Sequence, residues 1–252
     1  MKLCRLRTVS DPRYIVRIAS PLDPLPGSDP EELARQCEAV RQRLSANPGV
    51  QRVAIEQMDM YFAHGFVTAT EAEGLIALTD RDAAPSKRFA AQADPDFRTS
   101  HTCYLDSVDN LVGAVERRIA DLLGIAVERG EAIQAQRYAA GQQFKVHNDY
   151  FASGEPYSAA VAEEGGQRTW TAMIFLNDVE AGGATHFPYV GVQIKPRART
   201  LMLWNNLDAQ GLANAYTRHA GLPVERGSKY VITKWFRERA WSKSQRTDAY
   251  RS

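Results

Sequence analysis

Cysteine is scarce in this chain of 252 residues, which holds only Cys4, Cys37 and Cys103. An odd number at wide spacing draws neither a disulfide framework nor a CxxC metal or redox motif, and the three read as free thiols. Long hydrophobic runs are also missing. No stretch approaches the ~20 apolar residues that span a bilayer, and Met1 to Ser20 lacks the apolar core of a signal peptide, so a cytoplasmic location is expected and a membrane partner is not. Charge of one sign is not in excess either. The formal net charge is +1, with basic residues interspersed among acidic ones, which gives no tract for nucleic-acid binding. What remains, 44% hydrophobic and 24% charged residues, is the composition of a globular protein long enough to bury a sizeable core.

The N-terminal part pairs an alternating run, Tyr14 to Ala19, with a proline-rich connector from Pro21 to Pro30. Asp29 then caps a helix that has Pro30 in its first turn; Leu33, Cys37, Val40 and Leu44 recur at helical spacing until Asn47-Pro48-Gly49 stops it. Whether its sticky face meets a barrel or a second subunit is open at this point. Val53 to Phe62 predicts a strand, and Thr70-Glu71-Ala72-Glu73 a capping box opening a second helix. A third helix over 109–123 carries one wide apolar stripe, Leu111, Val112, Val115, Ile119, Leu122 and Leu123, the mark of a helix lying on a sheet. After Gly130 the pattern turns to strands: 132–139, 144–151, 169–176, 199–204, 214–219 and 229–236. Helices first and strands afterwards, without a βαβ rhythm, predict a mainly β protein: a double-stranded β-helix, or jelly roll, buttressed by N-terminal helices. The expected division is 1–49 as an N-terminal strand, linker and helix, 50–240 as the main domain, and 241–252 as a polar tail.

The chemistry-bearing residues cluster in the β half. Side chains two apart on a strand project to one face, so His147 and Asp149 suit two adjacent metal ligands while Asn148 points away. A site of two imidazoles and one carboxylate occupies one face of an octahedral Fe(II) and leaves the opposite positions open. A third ligand is needed. Among His64, His101, His186 and His219, only His219 has a cation at a useful distance: Lys229 lies ten residues on, past a turn-rich loop that would set the two on neighbouring antiparallel strands.

With these residues in place, the segment from about Val50 to Arg239 resembles the prolyl 4-hydroxylase family of Fe(II)- and 2-oxoglutarate-dependent dioxygenases. The resemblance runs in order through Arg98-Thr99-Ser100, Gln136 to Phe144, His147-Asn148-Asp149, Thr171 to Asn177, Gly182 to Pro188, His219, and Lys229 to Trp235. It implies that His147, Asp149 and His219 hold the iron and serve catalysis. It further implies that Lys229 pairs with the distal carboxylate of 2-oxoglutarate, helped by hydroxyls of Tyr138 and Thr185, with Trp235 walling the pocket.

The implied reaction consumes O2 and the co-substrate 2-oxoglutarate, releases succinate and CO2, and hydroxylates a prolyl residue of a peptide or protein, with ascorbate as reductant. Arg168 and Tyr150 are the candidate substrate contacts, and the long segment 151–168 a candidate gating loop. The sequence departs from the family pattern at Ala184, where many members carry Glu, and at His101-Thr102-Cys103-Tyr104, which bears on the substrate side. Two alternatives remain open: the same oxidation of a free amino acid or another side chain, and a non-catalytic jelly-roll binding module.

Overall fold

The computed structural model describes residues 22–86 and 94–241. The expected strand at 14–19 and most of the expected tail lie outside them. Chain order begins with α1 (Pro30–Ala46), β1 (Gln51–Arg52), β2 (Met60–Ala63), α2 (Ala69–Asp82), β3 (Ala84–Pro85), β4 (His101–Leu105) and α3 (Asn110–Leu123). The β half follows with β5 (Ile133–Tyr138), β6 (Phe144–His147), α4 (Ser158–Glu163), β7 (Arg168–Phe175), β8 (Ala181–Gly182), β9 (Thr185–Phe187) and β10 (Val192–Ile194). It closes with β11 (Thr200–Asn205), β12 (His219–Gly221), β13 (Val224–Arg226) and β14 (Lys229–Arg237).

Local signals explain the helices. Asp29 caps α1 by accepting from the backbone N–H groups of Glu31 and Glu32, and the four residues at helical spacing, Leu33, Cys37, Val40 and Leu44, are its buried ones. The second helix starts two residues before its expected box. Thr68, not Thr70, is the N-cap, and its hydroxyl and the Glu71 carboxylate bond reciprocally to the backbone. Asp109 caps α3, which ends at Gly124 with φ +69°, a left-handed turn that a side chain would strain.

Eight strands form one large sheet in the order β1-β2-β11-β7-β14-β5-β4-β3, and four form a smaller one, β10-β9-β12-β6. The two sheets face each other, as expected of a double-stranded β-helix, and alternate residues of the large sheet divide between two cores. Ile232 and Phe236 of β14 join Trp170, Ala172 and Ile174 of β7 beneath the three long helices. Val231 joins Met173, Phe175, Phe187 and Trp204 between the sheets. Period-two alternation thus gives each central strand a helix-facing side and a barrel-facing side. The open question about α1 is answered here: its apolar face is part of the helix-side core, and Arg43 donates to the backbone carbonyls of Asp121 and Leu122 at the end of α3.

Several expected strands are placed differently. The strand expected over 53–62 is β2, shifted late to Met60–Ala63, where it pairs with β11. The strand expected over 144–151 stops at His147, and that expected over 214–219 is a 3₁₀ turn, Ala215–Thr217, followed by β12. His219 and Lys229 are not on neighbouring strands. Between them β13 leaves the small sheet to pair with β8, so β12 belongs to one sheet and β14 to the other. The long segment expected as a gating loop after Phe151 contains α4, and its ends are clasped: Gln167 donates from Nε2 to the Phe151 carbonyl (2.9 Å), and the Phe151 N–H donates to Gln167 Oε1 (2.8 Å).

One polar pair is built into the helix-side core. Lys234, opposite in parity to Lys229, donates from Nζ to Glu116 Oε1 of α3 (2.8 Å) and to the Glu131 carbonyl (2.8 Å), and Lys234 and Glu116 are both almost wholly buried. Removing one member deletes a charged hydrogen bond to the other inside the core. Lys234→Met should therefore lower unfolding stability by about 3–5 kcal/mol in a urea titration; a change below ~1 kcal/mol would show that the pair is not anchoring α3.

Candidate active site

The register of the small sheet builds the centre of the site. His219 opens β12 directly opposite His147, the last residue of β6, and their rings lie 4.3 Å apart. Asp149 sits just past the end of β6, so the chain's turn away from the strand, rather than strand alternation, brings its carboxylate back to the two imidazoles. The potential ligand atoms of His147, Asp149 and His219 all lie within 4.8 Å of one another, the one such His, Cys, Asp and Glu cluster among the described residues.

Each imidazole is oriented by its own backbone. Nδ1 of His147 bonds to the Lys145 carbonyl (2.8 Å) and Nδ1 of His219 to the Thr217 carbonyl (3.0 Å), so both rings carry the proton on Nδ1 and turn Nε2 inward as a lone-pair donor. Phe144 stacks on the His147 ring at 3.6 Å, and Trp204 meets His219 edge-on at 5.0 Å. Burial, followed by the neighbouring His219, pushes His147 down to about 3, which keeps it neutral and available to a metal. Burial acts to raise the Asp149 carboxyl, but His219 and His147 hold it below the usual carboxylate range. Two imidazole nitrogens and one carboxylate oxygen are a donor set that fits Fe(II).

Behind the cluster, across the barrel, lies the lysine. Lys229 opens β14 opposite Tyr138 of β5, is buried, and has its Nζ 3.4 Å from Thr185 Oγ1 and 5.5 Å from the Tyr138 ring centroid. No carboxylate pairs with it among the described residues, and burial pushes its pKa down to about 7. A buried ammonium with a hydroxyl beside it is a receptor for an anion, and a 2-oxoglutarate carboxylate fits that requirement. Lys229, Thr185, Tyr138 and Trp235 line the same cavity as His147, Asp149 and His219, and Trp235 shares the face of Lys229 as its parity predicts. The Tyr138 hydroxyl donates to Gln136 Oε1 at 2.5 Å, an engagement the sequence did not signal.

The two residues expected to meet substrate are both tied into the protein. The Arg168 guanidinium makes paired bonds to Glu131 (2.6 and 2.7 Å) and lies over the rings of Trp235 (4.1 Å) and Phe151 (4.8 Å). Tyr150 is buried at the start of the 151–167 segment, and burial raises its pKa. Three histidines stay outside the cluster: His186 is half-buried on β9, His64 bonds to Thr200, and His101 lies 3.4 Å from Gln142. Cys37 and Cys103 are free and buried, and burial raises their thiols to about 12 and about 11, so neither is a ready nucleophile. Sequence reading gave no role to Thr171 or Asn206, which lie behind Asp149; the polar Thr171 at the parity of Met173 and Phe175 on β7 was the available signal.

A set of two histidines and one carboxylate in a double-stranded β-helix, with a buried lysine in the same cavity, fits a non-haem Fe(II) centre with an anion pocket beside it. The model of the 2OG-Fe(II) oxygenase superfamily matches residues 133–237, and over that span the chain is similar to the superfamily. Its similarity runs to prolyl 4-hydroxylases. It is 39% identical over 145 residues to the human prolyl 4-hydroxylase subunit alpha-1, covering 57% of this chain and 27% of that protein. A probable prolyl 4-hydroxylase 8 from Arabidopsis thaliana is 30% identical over 197 residues, 69% of this chain and 66% of the relative. The chain thus spans about a quarter of the length of the human relative. In fold it is similar to a viral collagen prolyl hydroxylase of Paramecium bursaria Chlorella virus-1, solved as a 2OG complex, with a TM-score of 0.56 and 22% identity over 77% of this chain and 98% of the viral one.

The lowered Lys229 pKa has a measurable consequence. Above pH ~7 the ammonium has largely lost its proton, and an incoming dicarboxylate must restore it, so binding takes up a proton and weakens as pH rises from 7 to 9. Calorimetry of 2-oxoglutarate binding at pH 8, in buffers of different ionisation enthalpy, should report that uptake and lose it in Lys229→Met. Equal uptake in the variant would assign the proton to another group.

Proposed function

We propose that this chain is an Fe(II)- and 2-oxoglutarate-dependent dioxygenase that hydroxylates a prolyl residue in a peptide or protein. The observation that carries the reading is the pairing of the His147, Asp149 and His219 cluster with a buried, anion-seeking Lys229 in one cavity. The prolyl target is supported by the relatives, which are named as prolyl 4-hydroxylases. Ascorbate is the reductant expected to keep the metal ferrous.

When bound, iron with 2-oxoglutarate and O2 supplies an oxidative decarboxylation that yields succinate and CO2 and places one oxygen atom in a substrate C–H bond. The chain's residues supply position and exclusion of water. His147, Asp149 and His219 would hold the metal from one side and leave the other side free for the co-substrate, oxygen and the reacting C–H. Lys229 and the Thr185 hydroxyl would bind the distal carboxylate, Tyr138 would pack beside it, and Met173, Phe144 and Trp235 would keep the cavity dry. Arg168 acts on this pocket from behind by pressing its guanidinium on the Trp235 ring.

Anaerobic addition of Fe(II) and 2-oxoglutarate should produce a metal-to-ligand charge-transfer absorption band, and its absence in well-folded protein would end the dioxygenase reading. His147→Ala and Asp149→Ala should each abolish succinate formation with the circular dichroism spectrum retained. Lys229→Ala should raise the 2-oxoglutarate KM by about 10- to 100-fold, the value of a charge-assisted hydrogen bond; an unchanged KM would place the carboxylate elsewhere. Hydroxyproline in host proteins, detected by mass spectrometry with and without the enzyme, tests the substrate.

A further inference from the structure

Asp149 has two carboxylate oxygens, and a three-residue facial set requires only one of them at the metal. Oδ2, which lies 4.0 Å from His219 Nε2, has a dedicated partner of its own. Thr171 Oγ1 donates to Asp149 Oδ2 at 2.8 Å, and Asn206 Nδ2 donates to Thr171 Oγ1 at 2.9 Å, with all three side chains buried. The direction of this chain is forced. An ionised carboxylate can only accept, so the single hydroxyl proton of Thr171 goes to Asp149, and Thr171 must then accept from the one donor that reaches it, the Asn206 amide. The same orientation leaves Asn206 Oδ1 buried without a hydrogen-bond partner. Retaining a buried amide with one end unsatisfied is unfavourable, so an asparagine here is costly unless its Nδ2 end is required.

The backbone of this relay is set by strand pairing where that of Asp149 is not. Thr171 lies on β7, at the centre of the large sheet, flanked in register by Trp204 on one side and Trp235 on the other. Asn206 follows β11, its N–H donating to the Thr169 carbonyl (2.8 Å) and its carbonyl accepting from the Asn214 N–H (2.9 Å). Asp149, by contrast, stands beyond the end of β6, where no sheet pairing fixes it.

We propose that Thr171 and Asn206 are positioning residues for the metal: they hold the Asp149 carboxylate across the barrel through Oδ2, the oxygen that lies 4.0 Å from His219 Nε2, and so fix its orientation toward the two imidazoles. The inference rests on the proposed iron site and concerns how tightly and in what geometry that site takes a metal. Hydrogen-bond partners of ligating groups typically carry about 10- to 100-fold in metal affinity, and Thr171 should fall in that range.

The test is anaerobic titration of the full chain with Co(II), read by visible absorption and calorimetry without turnover. Thr171→Val, which keeps the shape and deletes the hydroxyl, should weaken Co(II) binding by about 10- to 100-fold, and Thr171→Ser should restore it. Asn206→Leu should weaken it in the same direction, and the double variant should be no weaker than Thr171→Val alone, because the amide acts through the hydroxyl. At saturating metal the 2-oxoglutarate KM of these variants should stay near the wild-type value, since Lys229 is untouched. Wild-type affinity in Thr171→Val would overturn the proposal, as would equal losses in Thr171→Ser and Thr171→Val. Failure of the wild-type chain to take up Co(II) would overturn the iron site itself, and the relay with it.

Discussion

The pairing of β12 with β6 is the constraint on which the site depends. Because His219 stands directly opposite His147 in that register, a one-residue slip would turn one imidazole out of the barrel and leave the cluster with a single histidine. Each ring is further held by the carbonyl two residues before it, so the two donors converge before any metal is considered. The small sheet supplies the nitrogens, and the large sheet supplies most of what surrounds them.

That division follows from alternation along β14 and β7. On β14, Lys229, Val231, Thr233 and Trp235 face the cavity, while Ile232 and Phe236 face the helices together with the Lys234 and Glu116 pair. Two lysines five residues apart on one strand thus have opposite surroundings, one bonded to a carboxylate of α3 and the other buried in the cavity beside Thr185. The helices do more than cover apolar surface: by satisfying Lys234 and burying the outer face of the sheet, they keep rigid the strands that carry Lys229 and Thr171.

The pairing of Arg168, at the start of β7, with Glu131, just before β5, illustrates how charge is used behind the site. Glu131 is buried, and although burial acts to raise its carboxyl, Arg168 and Arg237 hold it ionised. Arg168 passes that restraint to Trp235 and Phe151, and so joins the cavity wall to the clasped base of the 151–167 segment. Arg168, expected as a substrate contact, is thus bonded into the wall of the cavity.

Much was legible in the sequence by itself. Capping residues and apolar spacing marked α1 and α3 because those signals are local, and the long strands β5, β7, β11 and β14 were visible as β-rich runs. The ordered motifs pointed to His147, Asp149, His219 and Lys229 as one site. Tertiary structure alone decided how they meet. Asp149 reaches the cluster from beyond a strand end, and His219 and Lys229 lie on opposing sheets because β13 diverts the chain between them; neither spacing nor alternation contains that crossover. The roles of Thr171, Asn206 and Arg168 also required three dimensions, because a hydrogen bond between residues 22 or 35 positions apart leaves no periodic trace in the sequence. Local geometry is set by neighbours along the chain, whereas the partner of a buried polar group is set by whichever strand packs across from it.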